Sequence, residues 1–179
     1  KAEEYSLEAK NQELKSQIQI KEWEVYSQQL LHDAAMKALE KAYETLIDLR
    51  ELNKLSKFAS VVAKYSKELI EANDLVSATK YVNHTIDVLR SLNKHDEAAA
   101  ICISICEVFL KEKNFEVAVS WGLRGSDILT EIQLVDEAIN FLEELVDQLM
   151  AEGSIENAIL CYGKIAKILE QNNRIKDVE

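Results

Sequence analysis

The stretches "HDEAAAICIS" (95–104) and "VDEAINFLEE" (135–144) share the tripeptide Asp-Glu-Ala, at Asp96–Ala98 and again at Asp136–Ala138. If that spacing reflects a repeat, it decides the fold, because a period of 20–50 residues is the signature of stacked helical units. Written in blocks of forty, 75–114 and 115–154 align without a gap, and 155–179 begins a third. Ala78, Ala118 and Ala158 fall in one column, and Leu89, Leu129 and Leu169 in another. Tyr81, Trp121 and Cys161 share a third column, and Phe109 matches Leu149. Extended backwards, the same frame places Ala38 under Ala78, Leu49 under Leu89 and Leu69 under Phe109.

The block also halves. Polar joints recur at Asn53-Lys54, Asn73-Asp74, Asn93-Lys94, Lys113-Asn114, Gly153-Ser154 and Asn172-Asn173, with Gln133-Leu134 a weaker one. Between joints the apolar residues follow helical spacing, as in Ala98, Cys102, Ile105, Phe109. Asn, Asp and Ser at the joints suit helix caps and short turns. The chain has no proline and no glycine before Gly122, so strong helix breakers are scarce. An all-α stack of antiparallel hairpins is expected, and 179 residues at 47% apolar composition supply a core that runs along it.

The first fifty residues read differently. "KAEEYSLEAKNQELKSQIQIKEWEVYSQQLLHD" contains no breaker, so a long N-terminal helix is expected over 1–34, with repeats at about 35–74, 75–114, 115–154 and, in part, 155–179. Leu7, Leu14, Ile18 and Val25 keep heptad relations, although Asn11, Lys21, Gln28 and His32 interrupt the seam. Residues 1–22 are expected to extend from the stack, with Leu7, Leu14 and Ile18 as a self-association or coiled-coil contact. From Trp23 onward the stripe Trp23, Tyr26, Leu30, Ala34, Ala38, Leu39, Ala42, Tyr43, Leu46 is expected to pack on the first repeat.

The half-units "NFEVAVSWGLRGSDIL" and "VDEAINFLEELVDQLMAEGS" resemble the tetratricopeptide repeat in a forty-residue variety. In that family an Ala opens helix B, an aromatic follows about three residues on, and a large residue closes helix A. Ala118 with Trp121, Ala78 with Tyr81, and Phe109 fit those places. The small residue usual in mid helix A is here Ser66, Cys106 or Val146, and no repeat ends in Pro. The resemblance covers about 35–179 and implies a right-handed solenoid whose A helices, about 55–72, 95–112 and 135–152, line a concave groove. Carried over by register, the groove positions are Ser60, Ala63 and Lys67; Ala100, Ile103 and Glu107; Asn140, Glu143 and Asp147.

Other chemistry finds little support. His32, His84 and His95 are scattered, and Gly122, Gly125, Gly153 and Gly163 form no phosphate-binding loop. Gly122 and Gly125, one helical turn apart, are expected to admit a neighbouring helix closely. Cys102 and Cys106 share a helix face but read as small core residues rather than half a zinc site. Glu143, Glu144 and Asp147 read as a solvated face. No enzyme activity, metal or cofactor is expected.

The net charge of −11 is concentrated beyond residue 115, which disfavours nucleic acid and anionic membrane and favours a basic protein segment. An odd number of cysteines points to a reducing, cytoplasmic setting. The expected function is a protein–protein interaction module taking a peptide or helix in the groove. The alternative is a structural segment, or a sensor or docking domain, of a larger scaffold or signalling protein; Lys1 in place of Met and the part-block ending "RIKDVE" suit that alternative.

Overall fold

The computed structural model describes the backbone of residues 2–172 and the side chains of residues 10–172. Leu7 and the "RIKDVE" segment therefore lie outside the side chains described. Eight helices and no strand occur among the described residues: α1 (Ala2–Gln28), α2 (His32–Asp48), α3 (Leu52–Glu71), α4 (Leu75–Ser91), α5 (His95–Lys111), α6 (Phe115–Glu131), α7 (Val135–Ala151) and α8 (Ile155–Gln171). Successive pairs α1–α2, α3–α4, α5–α6 and α7–α8 form the closest antiparallel hairpins, and each hairpin packs on the next. The forty-residue blocks therefore start on the second helix of a hairpin.

Every connection is the same three-residue turn. Its middle residue is left-handed: Leu30, Arg50, Asn73, Asn93, Lys113 and Gln133 have φ of 56–66°, and Gly153 has 76°. The third residue's amide donates to the carbonyl five residues back at 2.8–3.0 Å, as in Asp74 to Leu69, Lys94 to Leu89 and Ser154 to Leu149. This is the Schellman pattern of helix termination. The third residue's own carbonyl then opens the next helix, accepting from Ala35, Leu55, Ala78, Ala98, Ala118, Ala138 or Ala158 at 2.9–3.1 Å. Those residues are buried, as are Leu46, Leu69, Leu89, Phe109, Leu129, Leu149 and Leu169 at the helix ends. The alanine and leucine columns are thus one feature seen twice: a small residue where a helix begins, Leu55 of α3 excepted, and a large one where it ends, every twenty positions outside α3.

The frame does not extend backwards unbroken. α3 has 20 residues where α4 to α8 have 17 each. Ala35 and Leu46, not Ala38 and Leu49, occupy the places of Ala78 and Leu89. Asn53-Lys54 is not a joint; it lies in the first turn of α3, and the chain reverses at Leu49–Glu51.

The N-terminal helix also departs from expectation. It ends at Gln28, not at residue 34, because the chain reverses through Leu30, and α1 folds back along α2 instead of extending away. Its buried side is Ser16, Gln19, Trp23 and Ser27. Trp23 stands edge-on to Phe58 and Tyr65 of α3, with ring centroids 5.2 and 5.7 Å away. Tyr65 Oη donates to the Ser27 carbonyl, and Lys54 Nζ donates to Glu13 Oε1 at 2.7 Å. From Trp23 onward the expected stripe is buried, except Tyr26 and Ala34, which are half-buried, and Leu30, which the turn places in solvent.

Gly122 and Gly125 do admit neighbouring helices. A Cβ on Gly122 would lie 2.7 Å from Leu145 Cδ2, and one on Gly125 would lie 3.2 Å from Ile103 Cγ1. Gly163, one block after the Leu123 position, faces open space.

Two outcomes follow from this geometry. Leu30→Gly and Gln133→Gly remove the left-handed strain at exposed positions, less the greater entropy glycine loses on folding. Each is expected to raise the urea midpoint by the equivalent of about 0.5–1 kcal/mol at unchanged slope. Gly163→Ala gains helix propensity, about 0.5–1 kcal/mol, whereas Gly122→Ala overpacks against fully buried Leu145 and is expected to cost about 1–3 kcal/mol. The same denaturation measurement checks both, and equal effects of the two alanines would contradict the packing.

Candidate partner-binding face

Several charges of α4, α6 and α8 pair from one hairpin to the next. Arg90 of α4 binds Glu131 of α6 with 2.8 and 2.9 Å bonds, and Arg124 of α6 reaches Asp87 and Asn83 of α4. Lys164 of α8 pairs with Asp127 of α6, and Lys113 and Glu152 join two turns at 2.8 Å. Arg124 also lies over the Trp121 ring. Each partner is separated by close to forty residues, so these contacts stitch neighbouring repeats together. Inside, the Tyr43 and Thr85 hydroxyls share a 3.1 Å hydrogen bond between the first two hairpins, and burial raises the Tyr43 pKa.

The odd-numbered helices are different on the side turned away from their hairpin partners. A cleft of about 490 Å³ between α3 and α5 is lined by Lys57, Ser60, Ala63, Lys64 and Lys67 on one wall and Glu97, Ala100 and Ser104 on the other, with Glu97 accepting from Ser56 and paired with Lys94. Four of the register-assigned residues, Ser60, Ala63, Lys67 and Ala100, thus share one cleft. Ser60 is exposed and its hydroxyl donates back to the Ser56 carbonyl. A second cleft, between α5 and α7, contains Glu107 with Phe115, Gln148 and Ala151. Asn140, Glu143 and Asp147 are exposed on α7. Ile103 does not belong to this face: it packs toward α6, in the space left by the missing side chain of Gly125.

Lys57, Lys64, Lys67, Glu107, Glu143 and Asp147 form no ion pair among the described residues. A surface with uncommitted charges, small residues and hydroxyls can bind a segment that brings its own complementary groups. The sequence reading missed Lys57 and Lys64. Their signal was their position seven residues apart on one helix face.

The remaining candidates are structural. His32 Nε2 lies 3.2 Å from Asp74, which caps α4 through the Ser77 amide. The Ser77 contact is the main cause of the lowered Asp74 pKa. His84 lies beside Tyr43, and its buried Nε2 has no partner; His95 is half-buried at the start of α5. Cys102 and Cys106 are buried where α5 meets α6, their Cβ and Sγ 3.3 and 3.4 Å from the missing Cβ positions of Gly125 and Gly122. Burial pushes the Cys102, Cys106 and Cys161 thiols up to about 11, 12 and 11. At pH 8 on the order of one thiol in a thousand or fewer is then ionised. The native chain should resist a thiol-specific disulfide reagent at pH 8, with all three cysteines reacting once urea unfolds it. Rapid labelling of the folded chain would contradict the burial. Among the described residues, no helix is long and apolar enough to cross a membrane.

No protein-family model and no curated protein matches the chain. Among solved structures it is similar to aspartyl phosphate phosphatase F from Bacillus subtilis, at 14% identity and a TM-score of 0.48, over 90% of this chain and 42% of that one. It is also similar to a de novo designed helical repeat protein, at 15% identity and a TM-score of 0.38, over 95% of this chain and 92% of that one. The chain thus spans less than half the length of the phosphatase.

Proposed function

We propose that the chain is a non-catalytic protein-interaction module of tetratricopeptide type, in the forty-residue variety. It receives a peptide or helix of a partner protein on the open face of α3, α5 and α7. The observation that carries the reading is that Lys67, Glu107, Glu143 and Asp147 on α3, α5 and α7 stay unpaired among the described residues, while Arg90, Arg124 and Lys164 join neighbouring repeats on the other side. At the α7 end Asn140, Glu143 and Asp147 favour a basic segment, which gains charge-assisted hydrogen bonds there. A cytoplasmic setting is part of the same proposal.

A second reading, a segment of a larger scaffold or regulatory protein, is favoured by the flank of α8. Val119 of α6 is buried in the stack, whereas Ile159, one block later, is 61% exposed, as are Ile155 and Tyr162 in large part. A further helix laid there would extend the stack.

Capture of partners from a lysate of the protein's own cells tests the first reading. The double variant Glu143→Lys/Asp147→Lys should lose partners that the wild-type chain retains at low salt, with unchanged far-ultraviolet circular dichroism. Those partners should also leave the wild type as salt rises. Identical capture by both chains at low salt would overturn the reading in favour of the ends of the stack.

A further inference from the structure

The two ends of the stack match the two sides of its internal joints. Where hairpins meet, an odd-numbered helix lies on the even-numbered helix before it, as α7 lies on α6. Phe141 and Leu145 of α7, twelve and eight residues before the left-handed Gly153, meet Gly122 of α6. Gln148, five before it, lines a cleft with Phe115 of α6. On α5 the same places, counted back from Lys113, hold Ile101, Ile105 and Val108, all buried. On α1, counted back from Leu30, they hold Ile18, Glu22 and Val25, with Ile18 51% and Val25 47% exposed. The inner places of the three helices agree: Gln19 and Trp23 of α1 fall where α5 buries Cys102 and Cys106 and α7 buries Leu142 and Val146. The outward stripe of α1 is therefore the face an odd helix lays on the hairpin before it.

The other end carries the complementary half. Phe115, Val119 and Gly122 of α6 recur forty residues on as Ile155, Ile159 and Tyr162 of α8. Val119 and Gly122 are buried, whereas Ile155, Ile159 and Tyr162 are all exposed. Ile18 to Val25 and Ile155 to Tyr162 each span seven residues, about 10 Å of helix, so the two stripes have one length. In the α6–α7 register Val25 falls beside Ile155, and Ile18 and Glu22 beside Tyr162, whose hydroxyl can donate to the Glu22 carboxylate. The charges also allow the contact. Residues 10–28 hold three lysines and three glutamates, and residues 155–171 hold two of each, so both faces are neutral on a chain of net charge −11. Stacked-repeat proteins whose ends stay in water cap them with polar outer faces; here both ends present apolar side chains.

We propose that copies of the chain associate head to tail, α1 of one lying on α8 of the next as α7 lies on α6. This rests on the second reading above, in which a further helix covers the flank of α8, and it names that helix. Continuity with the internal joint selects the occupant: one chain carries both halves of the contact at the places where its own hairpins already meet. The apolar side chains of both stripes leave water, and no net charge opposes their approach. The contact joins two different surfaces, so every associated copy keeps one of each, and assembly continues past a dimer into a ring or a filament. It uses neither Lys67, Glu107, Glu143 nor Asp147.

Sedimentation equilibrium of the full chain tests this. The mass of the wild type is expected to rise with concentration past that of a dimer. Ile18→Asp, which spoils the α1 face, and Ile159→Asp, which spoils the α8 face, should each weaken association about tenfold or more. Mixed together, the two variants should form a dimer and nothing larger, because one supplies an intact α8 face and the other an intact α1 face. Both side chains lie more than half in solvent, and circular dichroism checks that each variant folds. Val25→Asp and Ile155→Asp repeat the test should either fail to fold. A wild type that stays monomeric at about 1 mM overturns the proposal. So does association as tight as the wild type's in either single variant alone, which would mean that copies meet through like faces. The reading of a covered α8 is tested apart from this: it is lost as well only if Ile159→Asp also captures the same partners from lysate as the wild type.

Discussion

The stack depends on one turn repeated seven times among the described residues. A helix ends, one residue enters the left-handed region, and the amide four residues after the turn's last residue closes the first bond of the next helix, from a buried residue that is Ala in every case but Leu55. The two backbone hydrogen bonds that close the turn satisfy carbonyls a helix end leaves unpaired. Because each turn has the same length and bonds, each helix reverses in the same way onto its predecessor, and its buried face recurs after twenty residues. Only Gly153 adopts the left-handed conformation free of steric strain; at Leu30, Arg50, Lys113 and Gln133 it costs about 1–2 kcal/mol each, offset by the packing on either side.

That regularity sorts the side chains. Alternate helices face opposite sides of the stack, so the chemistry of odd and even helices separates. On the even side, Asn83, Asp87 and Arg90 meet Arg124 and Glu131, and Asp127 meets Lys164, each about one hairpin away in sequence. Such pairs are partly exposed and each contributes little alone; arranged in series they fix the spacing of the hairpins. On the odd side Lys54 of α3 meets Glu13 of α1 and Ser56 of α3 meets Glu97 of α5, while Lys57, Lys64 and Lys67 of α3 and Glu143 and Asp147 of α7 form no ion pair among the described residues.

Much of the fold was legible because the Ala and Leu columns are packing requirements. Ala98 and Ala138 are fully buried where their helices open, and the Asp-Glu-Ala repeat is the trace of that shared position. The turn at Leu30 was not legible, because neither Leu30 nor Arg50 is a residue that favours left-handed φ; the backbone bonds around them impose it. The lengthened α3 was hidden for a different reason. Three extra residues make nearly one full turn, so the apolar stripe resumes about 60° away and the pattern still reads as continuous. α1 misled through its composition: the apolar heptad marks its outer face, and the polar Ser16, Gln19 and Ser27 mark the inner one. Register assigned Ser60, Lys67, Glu107 and the α7 residues to the face of α3, α5 and α7, and Ile103 with them; Ile103 packs toward α6 instead, into the space at Gly125 that exists only once α5 and α6 meet.

The backbone conformation of the seven turns is the most direct measurement of this account. Three-bond amide–Hα couplings with backbone chemical shifts, recorded by nuclear magnetic resonance on the full chain, report φ residue by residue. Positive φ at residues 30, 50, 73, 93, 113, 133 and 153, each within an otherwise helical run, is the predicted result. Helical φ at Leu30 and Arg50 would join residues 2–71 into one unbroken rod, detach α1 from Trp23's seat on α3, and contradict the stack from its first hairpin onward.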